Sequence, residues 1–144
     1  MPEHGTVVWL PRGGLLIRGR PGSGKSSLAR CLIQSYGGML VADDQVELSI
    51  EGGLVVARPP AALAGLLEVR GAGIVRLPWR RQVVIGCVIV LGEADPLPEV
   101  EEMLVAGVPL PSIRLPEGQA GENGFYWTGS VWHYTPRTYA AVAF

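Results

Sequence analysis

Residues 19–26 read Gly19-Arg20-Pro21-Gly22-Ser23-Gly24-Lys25-Ser26, which matches the pattern G-x-x-x-x-G-K-[ST] of a phosphate-binding P-loop. The glycines allow the backbone to fold into a concave nest whose N–H groups point at phosphate oxygens. A helix that begins at Lys25 adds its positive end to the same site. We therefore predict that the residues from Gly19 to Ser27 bind the phosphates of a nucleotide or of a phosphorylated substrate. In this pattern Lys25 reaches the β- and γ-phosphates, and the hydroxyl of Ser26 can ligate Mg²⁺.

The residues around this loop predict a strand before it and a helix after it. Leu15 to Arg18 has the character of a short strand, and Ser26 to Tyr36 shows helical spacing that ends at Gly37-Gly38. Arginine supplies eleven of the twelve basic residues, so the single lysine, Lys25, stands where a compact point charge is needed. Strand, loop and helix in this order are the start of an α/β fold.

The rest of the chain is predicted to add strands, a hairpin and short helices to this unit. Residues 1–117 are expected to form the P-loop domain, and the aromatic-rich residues 118–144 a C-terminal appendage. The predicted elements are strands at Thr6–Leu10, Met39–Ala42 and Val83–Leu91, a hairpin of Val46–Ile50 with Leu54–Ala57, a short helix in Pro59–Leu66, a loop or strand end at Glu68–Ile74, a surface helix at Pro98–Ala106 and a short segment at Leu110–Leu115.

Composition and charge exclude several classes of partner. The net charge is -1, and 48% of the residues are hydrophobic, which favours a single globular domain without a nucleic-acid or membrane-surface patch. The longest strongly apolar stretch, Val83 to Leu91, is far shorter than the roughly 20 residues of a membrane-spanning helix. Cys31 and Cys87 lie in apolar segments and read as small buried hydrophobes. We expect a cytoplasmic protein with no signal peptide.

Two of the three aspartates are adjacent, Asp43 and Asp44, and they directly follow the apolar segment Met39–Ala42. In α/β sheets, ligands bind at the carboxyl ends of the strands, so we expect this pair to share a crevice with the P-loop. One carboxylate there can hold Mg²⁺ or its waters, and the other can accept a proton from an attacking hydroxyl. The alternative is an ordinary turn or helix cap, where aspartate is common.

The P-loop, then Leu40-Val41-Ala42-Asp43-Asp44 and then Leu67-Glu68-Val69-Arg70-Gly71-Ala72-Gly73-Ile74 resemble the catalytic domain of HPr kinase/phosphorylase. Enzymes of that family phosphorylate a serine of the phosphocarrier protein HPr with ATP, or with pyrophosphate in some members, and can remove the phosphate by phosphorolysis. The resemblance covers about residues 4–92, weakens to about 116 and is absent beyond. It implies the P-loop kinase fold shared with phosphoenolpyruvate carboxykinase, in a short form that begins with the catalytic domain.

The resemblance also implies roles for single residues. Glu68 would hold the metal together with Ser26, and Asp43 would lie close to it. Asp44 would take the proton of the acceptor serine in the kinase direction and return it in phosphorolysis. His4 corresponds to an active histidine of the family and would face the substrate. Without the resemblance, His4 would read as a solvated chain end and Glu68 as half of a surface ion pair with Arg70.

The chain departs from the family pattern in its arginines. Asp95-Pro96-Leu97-Pro98 stands where the family carries an active arginine, and Leu110 to Pro116 offers only Arg114 in place of a proline-rich arginine loop. Both departures favour the kinase direction over the phosphorylase direction. Arg80 or Arg81 would have to substitute in space.

Three hypotheses for the function follow. The leading one is an HPr serine kinase that uses ATP and Mg²⁺ and assembles into a homo-oligomer, a hexamer by resemblance. The second is a kinase of the same fold that acts on another protein or on a small molecule. The third is a non-catalytic nucleotide- or phosphate-sensing module, which the missing arginines favour and the retained lysine and aspartates disfavour.

Overall fold

The computed structural model describes residues 2–93, 100–117, 125–127 and 132–134. Within them the chain forms one α-helix and thirteen strands, most of them in one mixed sheet. The elements are β1 (Glu3–His4), β2 (Thr6–Leu10), β3 (Gly13–Gly19), α1 (Lys25–Ser35), β4 (Met39–Ala42), β5 (Gln45–Glu51), β6 (Leu54–Arg58), β7 (Leu66–Val69), β8 (Gly73–Arg76), β9 (Val83–Gly92), β10 (Glu101–Val105), β11 (Val108–Pro116), β12 (Phe125–Trp127) and β13 (Trp132–Tyr134).

Parallel pairing at the centre of the sheet decides where the loops lie. The strand β9 runs parallel to both β3 and β11. On the other side of β3, β2 is antiparallel to β3 and to β4, so β3 and β4 point the same way. The carboxyl ends of β3 and β4 and the beginning of β2 therefore meet at one end of the sheet. The P-loop follows β3 there, and the aspartate pair follows β4.

Antiparallel hairpins extend the sheet on its other side. The predicted hairpin is confirmed as β5 and β6, and β6 pairs with the beginning of β9 through Val56 and Val84. The short strand β1 adds to β5, and β10 adds to β11. The strands β7 and β8 form a separate two-stranded hairpin in the segment that was expected to be a loop or strand end.

The sheet buries both of its faces. On one face, Leu28 and Leu32 of α1 pack with Val8 of β2 and with other apolar side chains. On the other face, Val7 packs with Val55 and other residues of the β5–β6 hairpin. Because neighbouring residues of a strand point to opposite faces, both sets of positions must be apolar. This explains the continuous apolar runs of the central strands.

Glycines flank the helix α1 on both sides, as the sequence predicts. Gly24 precedes it with a left-handed φ of 107°. At its end, the N–H groups of Tyr36 and Gly38 donate to the carbonyl of Leu32 at 3.1 and 3.0 Å, and Gly37 has φ 69°. This pattern satisfies a carbonyl that the last turn would otherwise leave free.

The predicted surface helix at Pro98–Ala106 is wrong, because Glu101–Val105 is the strand β10. Ala106 and Gly107 both have positive φ values, 49° and 82°, and form the tight turn that pairs Val105 with Val108. Two-residue turns of this kind match the twist of an antiparallel hairpin. The exposed glutamates of this strand lie at the edge of the sheet, where charged residues are also common. In the sequence they resemble the polar face of a surface helix, which explains the wrong prediction.

The predicted short helix at Pro59–Leu66 contains only a 3₁₀ turn at Ala61–Leu63. The next residues cannot continue it, because Gly65 adopts φ 77° and Leu66 already begins β7. The segment is therefore a connection between two hairpins.

The sequence predicts that both cysteines are small buried residues. Cys87 is buried and Cys31 is half-buried, and neither forms a disulfide. Burial raises the pKa of the Cys31 thiol.

In the part of the chain that the structure describes, no helix has both the length and the apolar character to cross a membrane.

The expected C-terminal appendage, residues 118–144, is described at β12 and β13 alone, which pair antiparallel to each other. The rest of it lies outside the described residues, and so do residues 94–99, which include the segment Asp95–Pro98.

Candidate active site

The P-loop connects β3 to α1 and requires its glycines for local reasons. Gly22 and Gly24 have φ values of 79° and 107°, which side chains disfavour. Gly19 has no room for a side chain, since a Cβ there would collide with the Oγ of Ser23 and come within 3.2 Å of the Cβ of Leu91. The sequence pattern therefore folds into the compact loop that the motif predicts.

Lys25 is the first residue of α1, and its side chain turns back over the loop. Its Nζ donates hydrogen bonds to the carbonyl oxygens of Gly19 at 2.8 Å and Arg20 at 3.1 Å. The ammonium group thus sits at the mouth of the loop, next to the positive end of the helix. Both features attract phosphate oxygens.

The carboxylate of Asp43 lies at the centre of a hydrogen-bond network. Its Oδ1 accepts from the hydroxyls of Thr6 at 2.9 Å and Ser26 at 2.8 Å, and its Oδ2 accepts from the backbone N–H of Glu68 at 3.0 Å. Asp43 is buried. Hydrogen bonds to an ionised acceptor are among the strong ones, so this carboxylate is held in one orientation.

Asp44 is exposed and adopts an unusual backbone conformation. Its φ is 68°, in the left-handed region that asparagine and aspartate enter more readily than most residues. Its carbonyl accepts from the N–H of Gly5 at 3.0 Å, and its own N–H points to the Oγ1 of Thr6 at 3.5 Å. This conformation lets the chain turn sharply from the end of β4 into β5.

The β7–β8 hairpin borders the site and brings Glu68 to it. Leu67 anchors the hairpin in the core beside α1, and the next residue, Glu68, donates its N–H to Asp43. The side chains of Glu68 and Arg70 are exposed and line the cavity. Among the described residues, no ion pair joins Glu68 to Arg70, so the structure does not support the surface-pair interpretation.

These elements enclose a cavity of about 450 Å³, a size typical of small-molecule sites. It brings together most of the predicted site residues: Pro21, Gly22, Gly24, Lys25, Ser26, Ser27, Asp43, Asp44 and Glu68. It also contains Val69, Arg70, Gly71 and Gly73, which belong to the segment that carries the family resemblance but had no predicted role, and Thr6, which the sequence analysis did not single out. For Thr6 the available signal was a hydroxyl in an otherwise apolar strand.

Four predicted residues do not line the cavity. Gly19 and Ser23 form the base of the loop, where Ser23 is buried. Arg20 points away to Glu117. His4 is exposed in β1 and lies one residue before Gly5, whose N–H contacts the carbonyl of Asp44.

The Arg20–Glu117 pair links the P-loop to the end of β11. The guanidinium binds the carboxylate with two hydrogen bonds, from Nε at 2.6 Å and from Nη2 at 2.7 Å. This contact holds the pKa of the Glu117 carboxyl below its ordinary value and raises that of Arg20. The pair is exposed, so solvent screens it and its effect on folding stability is small.

The donor groups of the cavity fit Mg²⁺. Ser26, Asp43 and Glu68 supply oxygen atoms only, and hard cations prefer such ligands. In the described ranges, no three His, Cys, Asp or Glu side chains form a complete metal site by themselves. Mg²⁺ at nucleotide sites uses one or two carboxylates, with phosphates and waters completing its shell.

Residues 1–79 match the family model of the HPr Serine kinase C-terminal domain. The chain belongs to this family. It is 43% identical over 75 residues to the HPr kinase/phosphorylase of Clostridium acetobutylicum, a match that covers 52% of this chain and 24% of that protein. It is 38% identical over 136 residues to the HPr kinase/phosphorylase of Azoarcus sp. (strain BH72), which covers 83% and 43%. This chain thus spans less than half the length of these relatives.

The fold agrees with a solved structure of the family. The chain resembles the Hpr(Ser) kinase/phosphatase from Coxiella burnetii with a TM-score of 0.72 and 26% identity, over 81% of this chain and 85% of that one. The predicted fold class, an α/β P-loop kinase fold of the HPr kinase type, is confirmed.

Proposed function

We propose that this protein is an ATP- and Mg²⁺-dependent serine kinase that phosphorylates the phosphocarrier protein HPr. One observation carries the proposal: Lys25, Ser26 and the pair Asp43-Asp44 line a single cavity. The names of the relatives support the acceptor and the kinase-type phosphoryl transfer. From the resemblance to the family we also propose a cytoplasmic homo-oligomer, a hexamer.

Phosphoryl transfer depends on positioning and on neutralising charge. The backbone of residues 19–27 and the ammonium group of Lys25 would bind the phosphates of ATP. Mg²⁺, when bound, would offset further charge on the β- and γ-phosphates. Ser26 and Asp43 would hold it, with Glu68 at the other wall of the cavity.

Asp44 would act as the base. Its carboxylate is exposed in the cavity and one residue away from the buried Asp43, so the two carboxylates have different environments. In the kinase direction the Asp44 carboxylate would accept the proton of the serine hydroxyl as the serine oxygen attacks the γ-phosphorus. The bond from the γ-phosphorus to the oxygen that bridges it to the β-phosphate would break, and ADP would leave. His4 lies outside the cavity wall, and there it would contact the protein acceptor rather than the nucleotide.

We propose that the reverse reaction is slow, because few arginines are free to reach the cavity. The Nε of Arg114, on β11, lies 3.9 Å from the Oε2 of Glu101 on β10. The Arg80 guanidinium stacks on the ring of Trp9, 3.9 Å from its centroid. Arg70 is the arginine that lines the cavity. Arginine side chains in transition-state contact can contribute orders of magnitude to the rate of phosphoryl transfer.

The decisive experiment incubates the protein with ATP, Mg²⁺ and HPr from the same source and detects phosphoserine. The Asp44→Asn variant is expected to lose activity, whereas Glu102→Gln, which removes an exposed carboxylate outside the cavity, keeps it. Absence of phosphoserine with the wild type would refute HPr as the acceptor. Turnover on other acceptors would then favour the second hypothesis, and ATP binding without any turnover would favour the sensing module. Adding inorganic phosphate and phosphorylated HPr measures the reverse reaction.

A further inference from the structure

Thr6 occupies an unexpected place for a polar residue. It begins β2, whose other residues are apolar, and it is 0% exposed. Because β2 lies between β3 and β4, its first residue stands between the P-loop and the aspartate pair. The side chain also lines the cavity.

The hydroxyl of Thr6 connects the two aspartates. It donates to the Oδ1 of Asp43 at 2.9 Å, the same oxygen that accepts from Ser26 at 2.8 Å. The N–H of Asp44 points to the same hydroxyl oxygen at 3.5 Å. The side chain of Thr6 thus contacts both the carboxylate of Asp43 and the backbone of Asp44.

We propose that Thr6 is a positioning residue, which holds the Asp43 carboxylate toward Ser26 and fixes the backbone of Asp44. The inference rests on the proposed function, because it assigns Asp43 and Ser26 to the binding of Mg²⁺ with ATP. Without the hydroxyl, the Ser26 and Glu68 hydrogen bonds are left to orient Asp43 alone, and we expect them not to hold its carboxylate in the present position.

A purely structural hydroxyl would behave differently. If Thr6 only satisfies buried hydrogen-bonding groups, its removal lowers stability and leaves ligand binding unchanged. If Thr6 positions Asp43, replacing Thr6 with valine should lower the contribution of Mg²⁺ to ATP binding. Serine at this position keeps the hydroxyl and should preserve that contribution. The two roles are separated by a binding measurement.

The test compares the wild type with Thr6→Val, Thr6→Ser and the control Val7→Ala. Calorimetry measures the affinity for ATP in the presence of Mg²⁺ and in the presence of EDTA. We call the first affinity divided by the second the gain from Mg²⁺. We expect Thr6→Val to reduce this gain about tenfold, as for loss of a hydrogen bond to a charged group. Thr6→Ser should stay within about twofold of the wild type. Val7→Ala removes buried apolar volume from the same strand and should lower the unfolding temperature while keeping the gain.

The crystal structure of Thr6→Val provides a second readout, in which the Asp43 carboxylate is expected to turn away from Ser26. An unchanged gain from Mg²⁺ together with an unmoved Asp43 would overturn the inference, and so would a wild type whose ATP affinity does not depend on Mg²⁺. Failure to phosphorylate HPr is a separate result. It would remove the proposed acceptor, while a Mg²⁺ gain that depends on the Thr6 hydroxyl would still support the positioning role.

Discussion

Replacing Asp43 tests whether its hydrogen-bond network is as the structure shows. Alanine at this position leaves three donors without an acceptor: the hydroxyls of Thr6 and Ser26 and the N–H of Glu68. Asparagine keeps the shape of the side chain. If its amide group turns over, its oxygen accepts from Glu68 and its two N–H groups donate to the hydroxyl oxygens, so all three partners remain bonded.

The expected losses of stability follow from burial. The Thr6 hydroxyl is fully buried, so leaving it unpaired costs about 1–3 kcal/mol. Ser26 and Glu68 border the cavity and can reach water, so each of them adds about 0.5–1 kcal/mol. Asp43→Ala should therefore lower the free energy of unfolding by roughly 2–5 kcal/mol. Asp43→Asn should cost less than about 1 kcal/mol, because its amide keeps all three partners bonded.

Thermal and urea unfolding of the two variants measure these differences. At about 2–4 °C per kcal/mol for a domain near this size, the alanine variant should melt roughly 10 °C below the wild type. Both variants should lose the gain in ATP affinity from Mg²⁺, since neither has the carboxylate. If Asp43→Asn destabilises the protein as strongly as Asp43→Ala, the hydrogen-bond assignment is wrong.

Two further predictions concern charged residues. Lys25→Met should weaken ATP binding about tenfold or more, whereas Arg20→Met should change it less than about threefold, because Glu117 engages that guanidinium. Calorimetry at one salt concentration compares the two variants, and equal losses would contradict this assignment. On the β5–β6 hairpin, hydrogen bonds from Arg58 lower the pKa of Glu51 from 4.5 to about 2. A lowered pKa stabilises the fold above the ordinary value, and this contribution disappears as the pH falls from about 4.5 through about 2. The melting-temperature difference between the wild type and Glu51→Gln should therefore shrink across that range, and a constant difference would refute the pairing.

The parts of the site that the sequence predicted are those that local sequence determines. The P-loop conformation depends on glycines at fixed spacing. The ends of α1 depend on glycines that lie next to the helix in the sequence. The aspartate pair was placed correctly because a buried strand leads directly into it. The prediction that it shares a crevice with the P-loop is confirmed by the cavity.

The remaining parts depend on pairing between distant segments. The sequence did not show that β2 lies between β3 and β4, and hence that Thr6 contacts Asp43 from 37 residues away. Nor did it show that Arg20 pairs with Glu117, a separation of 97 residues. The β7–β8 hairpin was missed because its glycines also suit an irregular loop. Register and strand order follow from packing, which short patterns do not encode.

The network around Asp43 couples ligand binding to the order of the whole site. Its carboxylate joins β2, α1 and the β7–β8 hairpin through three hydrogen bonds, so a shift of any of these elements changes its orientation. A ligand that binds best to one orientation favours the arrangement in which all three contacts are made. By mass action, a ligand that binds only the folded protein stabilises it by an amount that grows with the logarithm of the ligand concentration over the dissociation constant. The contact with Glu68 also links the β7–β8 hairpin to Asp43. If ATP and Mg²⁺ bind as proposed, we expect this hairpin to become more ordered.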